Sequence, residues 1–593
     1  MSEIIVKTII TNNFSMKKDI LACILCSILG LIIALLPHIV VFLKYGSLEY
    51  LADGDDVLYL SIFKAPYYGE WLLRDPFSSY STKIVTLYSW LQFVPLSKLA
   101  SSLGIPLILI PLLLRSIGGI TISISLYVLF RLIFINSNRA IFFATSCTLI
   151  CICDGGFLGR SLLENFSNLK LMATNGVIGT GNSVLPQYRI ITPLNNIPIV
   201  FLLSSLFLPV IPRDWKTASI GGILLGCCIN LYFFFWTAVC LALGLYGIIF
   251  FFLGWRGIVS VDNTKKELLF LGIILLGGLI VGLPQIISHS AIYNDPETKM
   301  ILHRMSRGIK LLPEDSFRYN YILNFWTWMQ LAVGGIAIIN FRHYYLGIIW
   351  LLNFAGYILL NSAVLTGLEF ENFHWSYISK PFGEILLLSS SVLILQDKKI
   401  FKYISHILVM IIISTGILVR LYEPVYAKEP TELSKILEEI RPLRPFLAQI
   451  DRNAVLAGPM EANVASLFTR GGQLYQFNQT SHSSVVSDTS VLERNALNAW
   501  LLDYSLNEYQ DENYLDRHFN VGAYIKPEKW QPASVKKVRL NIFKSLISGK
   551  RDVELLDKYL PDFLLQKLDK APLIKKDWKV VAKSKKWILW KKV

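Results

Sequence analysis

The chain has 593 residues, of which 53% are hydrophobic and 17% are charged, and its mean hydropathy is +0.49. The charged fraction lies well below the roughly 25% typical of soluble domains, which excludes an ordinary soluble globular protein. The formal net charge of +15 comes without a basic recognition helix or an RNA-binding signature, so no nucleic acid partner is expected.

Apolar segments recur along the chain until about residue 422, and eleven of them are interpreted as membrane spans. A helix needs roughly 20 apolar residues to cross the hydrocarbon core of a bilayer. The predicted spans are 20–43, 104–134, 141–153, 196–211, 218–234, 237–254, 268–288, 322–340, 346–365, 384–396 and 404–421. Within 218–254, the length favours two crossings over one helix. The sequence therefore predicts an α-helical polytopic membrane protein with a membrane domain at 1–421.

Lysines and arginines in the short connections give the orientation, because these residues are enriched on the cytoplasmic side. They fall in alternate connections, from Lys17 and Lys18 before the first span to Lys398 and Lys399 before the last. This pattern predicts a multi-pass protein with a cytoplasmic N-terminus. The expected location is a bacterial inner membrane. The segment 422–593 is then extracytoplasmic, as are three long loops at 44–103, 154–195 and 289–321.

The first outer loop begins with an acidic cluster, "LADGDD", directly after the first span. Its three carboxylates are those of Asp53, Asp55 and Asp56. One interpretation is a polar turn, in which Asp56 caps the following segment by accepting backbone N–H groups. The other is a catalytic base that removes a proton from an acceptor hydroxyl. The aromatic residues that follow are typical of a helix lying in the membrane interface.

The sequence "DDVLY", from Asp55 to Tyr59, resembles the acidic motif of the GT-C superfamily of membrane glycosyltransferases. That superfamily includes protein O-mannosyltransferases and the lipid A aminoarabinose transferase. The resemblance implies transfer of a sugar from a polyprenyl-phosphate donor, usually with inversion, and assigns acceptor activation or metal binding to Asp55. It also makes Tyr59 a sugar or acceptor contact. Asp53 departs from the two-acid pattern, so the choice of base among Asp53, Asp55 and Asp56 stays open.

Two further outer residues are candidates near the third and fourth spans. Asp154 follows the third span, and the resemblance suggests that it faces the first acidic motif; the alternative is a glycine-rich turn. Arg189 precedes the fourth span, where a guanidinium can bind a phosphate with two parallel hydrogen bonds. It can equally extend to the lipid headgroups.

The loop 289–321 is rich in basic residues although it is predicted to lie outside. Cations there would stabilise negative charge on a departing carrier phosphate. We assign this role to His303, Arg304 and Arg307, with attraction to anionic lipid surfaces as the alternative.

The last outer loop of the membrane domain, "TGLEFENFHWSYISKPFGE", mixes aromatic, acidic and basic side chains. Such a surface suits a sugar, whose apolar face packs on rings and whose hydroxyls bind polar groups. Glu371, His374 and Lys380 are therefore predicted sugar or acceptor contacts. The proximity of His and Glu also raises a divalent metal as a cofactor, but no complete ligand set is recognisable.

The segment 422–593 shows a different pattern, with short strands alternating with helices. Strands are predicted within 453–459, 471–477 and 519–527, helices within 461–470 and 492–506, and a β-hairpin within 575–593. This alternation indicates a small α/β domain. It has no G-x-G-x-x-G and no phosphate-binding loop, so no nucleotide cofactor is expected.

The leading interpretation is an enzyme that transfers a sugar from a polyprenyl-phosphate donor to a cell-envelope glycan, lipid or protein. One alternative is a lipid or solute transporter whose outward carboxylates bind ions, although the acids lie in loops rather than within spans. Another is a glycan ligase or polymerase, which would depend more on Arg and His in the outer loops. The sequence names neither the sugar, the acceptor nor the carrier length.

Overall fold

The structure is a computed structural model. It describes residues 16–52, 54–73, 89–153, 190, 192–294, 307–308, 325–362, 368–369, 372–396, 406–407, 410–411, 414, 432–459, 461–474, 488–510, 533–550, 552–559, 561–568 and 578–593.

Helices make up most of the described chain. In order they are α1 (Met16–Tyr45), α2 (Gly54–Tyr67), α3 (Trp90–Ser102), α4 (Ile110–Ile133), α5 (Ala140–Cys153), α6 (Thr192–Ser205), α7 (Trp215–Leu231), α8 (Phe233–Trp255), α9 (Val261–Asn294), α10 (Phe325–Ile339), α11 (Gly347–Leu360), α12 (Ser376–Leu395), α13 (Glu432–Ile440), α14 (Arg444–Leu447), α15 (Glu461–Ser466), α16 (Asp488–Leu501), α17 (Leu506–Gln510), α18 (Ala533–Ile547) and α19 (Asp552–Tyr559). The strands are β1 (Arg307–Gly308), β2 (Leu368–Glu369), β3 (Val455–Ala457), β4 (Gly472–Gln473), β5 (Phe563–Lys567), β6 (Trp578–Lys583) and β7 (Trp587–Lys592).

The chain folds into two compact units, each assembled from separated stretches of sequence. The membrane unit draws on Met1–Val40, Leu112–Ile286 and Gly308–Pro430. The loop–tail unit draws on Val41–Pro111, Ile287–Arg307 and Thr431–Val593. The first long loop thus belongs to the same compact unit as the C-terminal segment, while the sequence boundary at 421/422 stays a prediction.

Ten described helical stretches coincide with the first ten predicted spans. Five are long and apolar enough to cross a membrane, namely Met16–Tyr45, Leu107–Ile133, Phe233–Trp255, Val261–Ser288 and Ser376–Leu395. Five shorter apolar helices are Ala140–Cys153, Asn196–Ser205, Trp215–Leu231, Phe325–Ile339 and Tyr344–Leu360. Of the eleventh predicted span, 404–421, the structure describes only a few helical residues, so the total of eleven stays a prediction.

The apolar stretch 218–254 forms two helices, as its length predicts. Helix α7 ends at Leu231 and α8 begins at Phe233, because Tyr232 between them has an extended backbone with φ −157° and ψ 121°.

Close approach of backbones joins α1 to α4 in the membrane unit. A Cβ on Gly30 would lie 2.6 Å from the carbonyl oxygen of Gly119, and one on Gly119 would lie 2.7 Å from that of Gly30. Small residues at such crossings allow the tight van der Waals contact that drives association of helices in lipid.

Several polar groups buried in the membrane unit are paired. The guanidinium of Arg131 donates to Asp19 at 2.7 Å, and the hydroxyl of Tyr127 donates to the same carboxylate oxygen at 2.7 Å. Arg115 and His38, both fully buried, lie 3.1 Å apart between a guanidinium nitrogen and Nε2. Such pairing offsets the cost of removing charged and polar groups from water.

A five-stranded mixed sheet, in the order β4-β3-β5-β7-β6, lies in the loop–tail unit. Strand β3 is parallel to both β4 and β5, whereas β7 is antiparallel to β5 and β6. The predicted terminal hairpin is therefore confirmed as β6 and β7. The strand predicted within 453–459 and the helices predicted within 461–470 and 492–506 are also present as β3, α15 and α16. The strand predicted within 519–527 lies outside the described residues.

Candidate active site

The acidic cluster leads directly into α2, and the structure distinguishes two of its carboxylates. Both Asp55 and Asp56 lie in the first turn of α2, where negative charge is favoured by the helix dipole. The carboxylate of Asp56 is 3% exposed and accepts the backbone N–H of Ala52 at 2.7 Å. Asp56 thus binds the chain that leads into α2, rather than the N–H groups of the segment that follows it, which the turn interpretation predicted. Asp55 is only half-buried.

Asp55 and Tyr59 are four residues apart, which places them on the same face of α2. Tyr59 is half-buried, and its ring centroid lies 6.2 Å from that of Phe93 on α3. The two residues that define the resemblance therefore occupy one partly accessible helix face.

Most of the other side chains of α2 are buried in protein. Its residues Leu60, Ile62 and Phe63 are at most 1% exposed, and the rings of Phe63 and Phe93 lie 4.8 Å apart. Ser97 on α3 donates to the carbonyl oxygen of Phe63 at 3.1 Å. Protein thus covers apolar residues on several sides of α2, and the expectation that this stretch lies in the membrane interface stays a prediction.

Lys64, also on α2, is a functional candidate that the sequence analysis missed. Its side chain is buried, and Nζ donates to the carbonyl oxygens of Ser466, at 3.2 Å, and of Gly471. Burial lowers the pKa of Lys64 to about 7, because the charged form loses its hydration. The available signal was a lone cation inside the apolar stretch "LSIFKAPY", which is unusual unless the cation is satisfied by partners.

Ion pairs join the ends of the same loop to the C-terminal segment. Glu49 accepts two hydrogen bonds from Arg444, at 2.8 and 2.6 Å, in a bidentate arrangement. Arg444 also lies over the ring of Phe468, 4.2 Å from its centroid. Beyond α2, Glu70 pairs with Arg452. The loop that carries the acidic cluster is thus fastened both before and after α2.

A second group of candidate residues lies in the membrane unit around His374. Its imidazole stacks on the ring of Phe234 at 4.9 Å with an interplanar angle of 18°, and Tyr377 meets it edge-on at 5.8 Å. The Tyr232 hydroxyl forms a hydrogen bond with Nδ1 of His374. The half-buried imidazole is therefore held on three sides.

This cluster also explains the helix break at Tyr232. An uninterrupted helix from α7 into α8 would carry Tyr232 in helical geometry, whereas the extended residue places its ring and hydroxyl against His374. Next to it, Nε1 of Trp375 donates to Oγ1 of Thr237 at 3.0 Å. The cluster joins two segments that the sequence places on the outer side, the connection between the fifth and sixth spans and the last outer loop.

The other predicted site residues are described in part or not at all. Lys380 lies half-buried in α12. Arg307 belongs to β1 by its backbone, but its side chain lies outside the described part of the structure. Also outside it are Asp53, Asp154, Arg189, His303, Arg304 and Glu371.

No group of three or more His, Cys, Asp or Glu side chains within the described ranges is arranged to hold a metal ion. The divalent metal raised by the sequence therefore stays a hypothesis.

No protein-family model matches the chain, and no curated protein matches it by sequence. Among solved structures, it is similar to ArnT from Cupriavidus metallidurans bound to undecaprenyl phosphate, with 11% identity, a TM-score of 0.45, and coverage of 97% of this chain and 98% of that one. It is also similar to the oligosaccharyltransferase AglB from Archaeoglobus fulgidus in complex with an inhibitory peptide and a dolichol-phosphate, with 11% identity, a TM-score of 0.42, and coverage of 91% and 69%.

Proposed function

We propose that this chain transfers a sugar from a polyprenyl-phosphate donor to an acceptor hydroxyl at the outer face of the membrane, with inversion. The observation that carries the proposal is the placement of Asp55. It follows the first predicted membrane span closely, lies in the first turn of a firmly packed helix, and is half-buried, whereas the adjacent Asp56 is buried and binds the backbone N–H of Ala52. The acceptor is a glycan, a lipid or a protein of the cell envelope.

The proposed chemistry is a single displacement. Asp55 takes the proton of the acceptor hydroxyl, the oxygen forms a bond to the anomeric carbon, and the bond from that carbon to the carrier phosphate breaks. The polyprenyl phosphate departs with the electron pair of that bond. Its negative charge calls for fixed cations, the role that we assign to Arg189, His303, Arg304 and Arg307. Asp154 is proposed to face the acidic motif.

The position in the chain suits this chemistry. The polyprenyl tail of the donor stays in lipid, so its phosphate and sugar are presented at the height of the outer headgroups. A base within hydrogen-bond reach of the acceptor must come from a residue at that height. Asp55 lies ten residues beyond the end of α1 at Tyr45. With the predicted cytoplasmic N-terminus, this places Asp55 near the outer end of the first span.

We assign sugar or acceptor contact to the His374 cluster, together with Tyr59, Glu371 and Lys380. Aromatic faces cover the apolar side of a sugar ring, while an imidazole or ammonium binds hydroxyls. The restrained imidazole of His374 would bind with little loss of side-chain freedom, which favours affinity.

Asp55→Asn tests the proposal directly, because the change is nearly isosteric and removes only the proton acceptor. Transfer should fall by roughly 10²–10⁴-fold, the usual contribution of a general base. The assay uses membranes containing the variant and a panel of polyprenyl-phosphate hexoses and pentoses. Wild-type transfer by Asp55→Asn would overturn the catalytic assignment.

Two further variants serve as references for that assay. Asp56→Asn should mainly lower stability, since it weakens the hydrogen bond that the carboxylate accepts from the N–H of Ala52. Asp503→Asn removes an exposed carboxylate of the same unit, at a residue with φ 61°, a conformation that asparagine adopts readily. It should leave transfer unchanged.

The orientation is tested separately with reporter fusions. A fusion after Lys428 should report the outer compartment, and one after Lys399 should report the cytoplasm. Reports from the same side would overturn the odd number of spans and the outer location of the acidic loop.

A further inference from the structure

Three stretches of the C-terminal segment contact the loop that carries the acidic cluster, all within the loop–tail unit. Arg444 pairs with Glu49 before α2, the turn Ser466–Gly471 receives Lys64 of α2, and Arg452 pairs with Glu70 after α2. The contacts thus bracket the helix and also hold its middle.

The contact at Lys64 is the most buried of the three. Its ammonium donates to the carbonyl oxygens of Ser466 and Gly471, and the Thr469 hydroxyl donates to the same oxygens at 2.9 and 3.4 Å. Ser466 is the last residue of α15, so Lys64 donates to a carbonyl group at a helix C-terminus, where carbonyls have no partner within the helix ladder. The turn is a receptor for one side chain of α2.

The receptor turn is itself fixed by the sheet. A Cβ on Gly471 would lie 2.3 Å from the carbonyl oxygen of Ala454, so the turn lies directly against the start of β3. The N–H of the next residue, Gly472, donates to that same oxygen at 2.9 Å. Lys64 therefore connects α2 to the rigid sheet rather than to a loose surface segment.

Lys64 lies nine residues after Asp55 on α2, about 14 Å along the helix axis and on the opposite face. Holding Lys64 fixes how far α2 is rotated and advanced, and hence the position that Asp55 occupies at its other end. Errors of about 1 Å in the position of a catalytic group can lower a rate 100-fold.

We infer that the C-terminal segment positions the catalytic helix, and that Lys64, bound by the Ser466–Gly471 turn, is a positioning residue for Asp55. The inference rests on the proposed function for the role of Asp55. It gives the C-terminal segment a task in the chemical step, beyond covering the membrane unit or contacting the acceptor.

The experiment compares Lys64→Met with Lys98→Met in the full-length protein. Methionine keeps the length of the side chain but donates no hydrogen bond. Lys98 is a half-buried lysine on the neighbouring α3, with its ammonium 4.7 Å from the ring centroid of the exposed Trp71, and it is the matched control. Hydrogen exchange of the backbone amides of α2 is measured first, because it requires no substrate.

Lys64→Met should increase amide exchange in α2 and in the Ser466–Gly471 turn, and it should lower kcat for transfer by roughly 10- to 100-fold with little change in KM for the donor. Lys98→Met should leave both unchanged. Unchanged exchange in Lys64→Met would overturn the inference, and so would increased exchange with wild-type kcat. Failure of the proposed function is recognised independently, by wild-type transfer in Asp55→Asn.

Should Lys64→Met fail to fold, Glu49→Gln tests the same inference at the contact before α2. The amide keeps the shape of the side chain but loses the charge that Arg444 binds bidentately. Increased exchange at the start of α2 with lower kcat would support the inference, and unchanged values of both would overturn it.

Discussion

The two groups of candidate residues are held by different kinds of interaction. In the loop–tail unit, α2 is fixed by charged side chains that bind backbone carbonyls or carboxylates, as at Lys64 and Glu49. In the membrane unit, His374 is fixed chiefly by aromatic rings. Removing one partner of a buried charged contact leaves the other unsatisfied, whereas an aromatic cluster loses only part of its packing. The contacts that hold α2 should therefore be more sensitive to single substitutions and to pH than those that hold His374.

The largest expected effect is on the pH dependence of stability at Lys64. Its pKa is lowered to about 7 in the folded chain, from 10.5. Between these pH values the unfolded chain retains the proton that the folded chain has lost, so stability rises with pH, on the order of 1.4 kcal/mol for each pH unit. Below about pH 7 both states are charged, and the full cost of burial applies.

The measurement is thermal unfolding of the wild type and of Lys64→Met from pH 6 to 10.5. Methionine does not titrate, so the difference between the two proteins isolates Lys64 from all other groups. A difference that grows in favour of the wild type as pH rises above 7 is expected. A difference that is constant with pH would contradict the lowered pKa.

The next effect in size is that of Gly471→Ala. The added methyl group would meet the carbonyl oxygens of Ala454 and Asp451 at 2.3 and 2.8 Å, both of them backbone atoms that cannot easily move. We expect a loss of about 1–3 kcal/mol in the free energy of unfolding. Gly335→Ala in α10 is the control from the membrane unit, since a Cβ there meets nothing within 4 Å. Equal unfolding temperatures for the two variants would contradict the tight contact at Gly471.

Tyr232→Phe should have a smaller effect, confined to function. The substitution removes the hydroxyl that binds Nδ1 of His374 and keeps the ring that packs beside Phe235, 5.3 Å away. Loss of one hydrogen bond of about 1 kcal/mol should lower transfer about fivefold. Kinetics with the polyprenyl-phosphate panel are compared with those of Tyr344→Phe, at a residue that is 66% exposed. Equal activity in both variants would contradict a role for the Tyr232 hydroxyl in positioning His374.

The smallest effect is expected at the exposed stretch that follows α2. Trp71 is 66% exposed, and its ring lies below the ammonium of Lys98. Trp71→Ala should change the free energy of unfolding in detergent by no more than about 1 kcal/mol. A loss of free energy as large as that of Gly471→Ala would show that the stretch after α2 is as tightly held as α2 itself.

Much of the architecture follows from the sequence alone. The positions of ten apolar helices follow from hydropathy, because a bilayer demands long uncharged segments whatever their packing. The division of 218–254 into two helices follows from length, although the break lies at Tyr232 and not between 234 and 237. The terminal β-hairpin follows from alternating apolar and basic residues. The acidic motif of α2 was recognisable because its chemistry lies in a few consecutive residues.

Other features depend on contacts between residues that are remote in sequence. Asp55 and Asp56 are alike in the sequence, and only the fold buries Asp56 against Ala52 while leaving Asp55 partly accessible. The contacts by which α3 and the C-terminal segment cover much of α2 are also absent from its local pattern. The partners of Lys64 lie 402 and 407 residues away. Hydrogen bonds of this kind have no periodicity to reveal them, because they depend on which backbone carbonyls the tertiary structure brings within reach of the lysine.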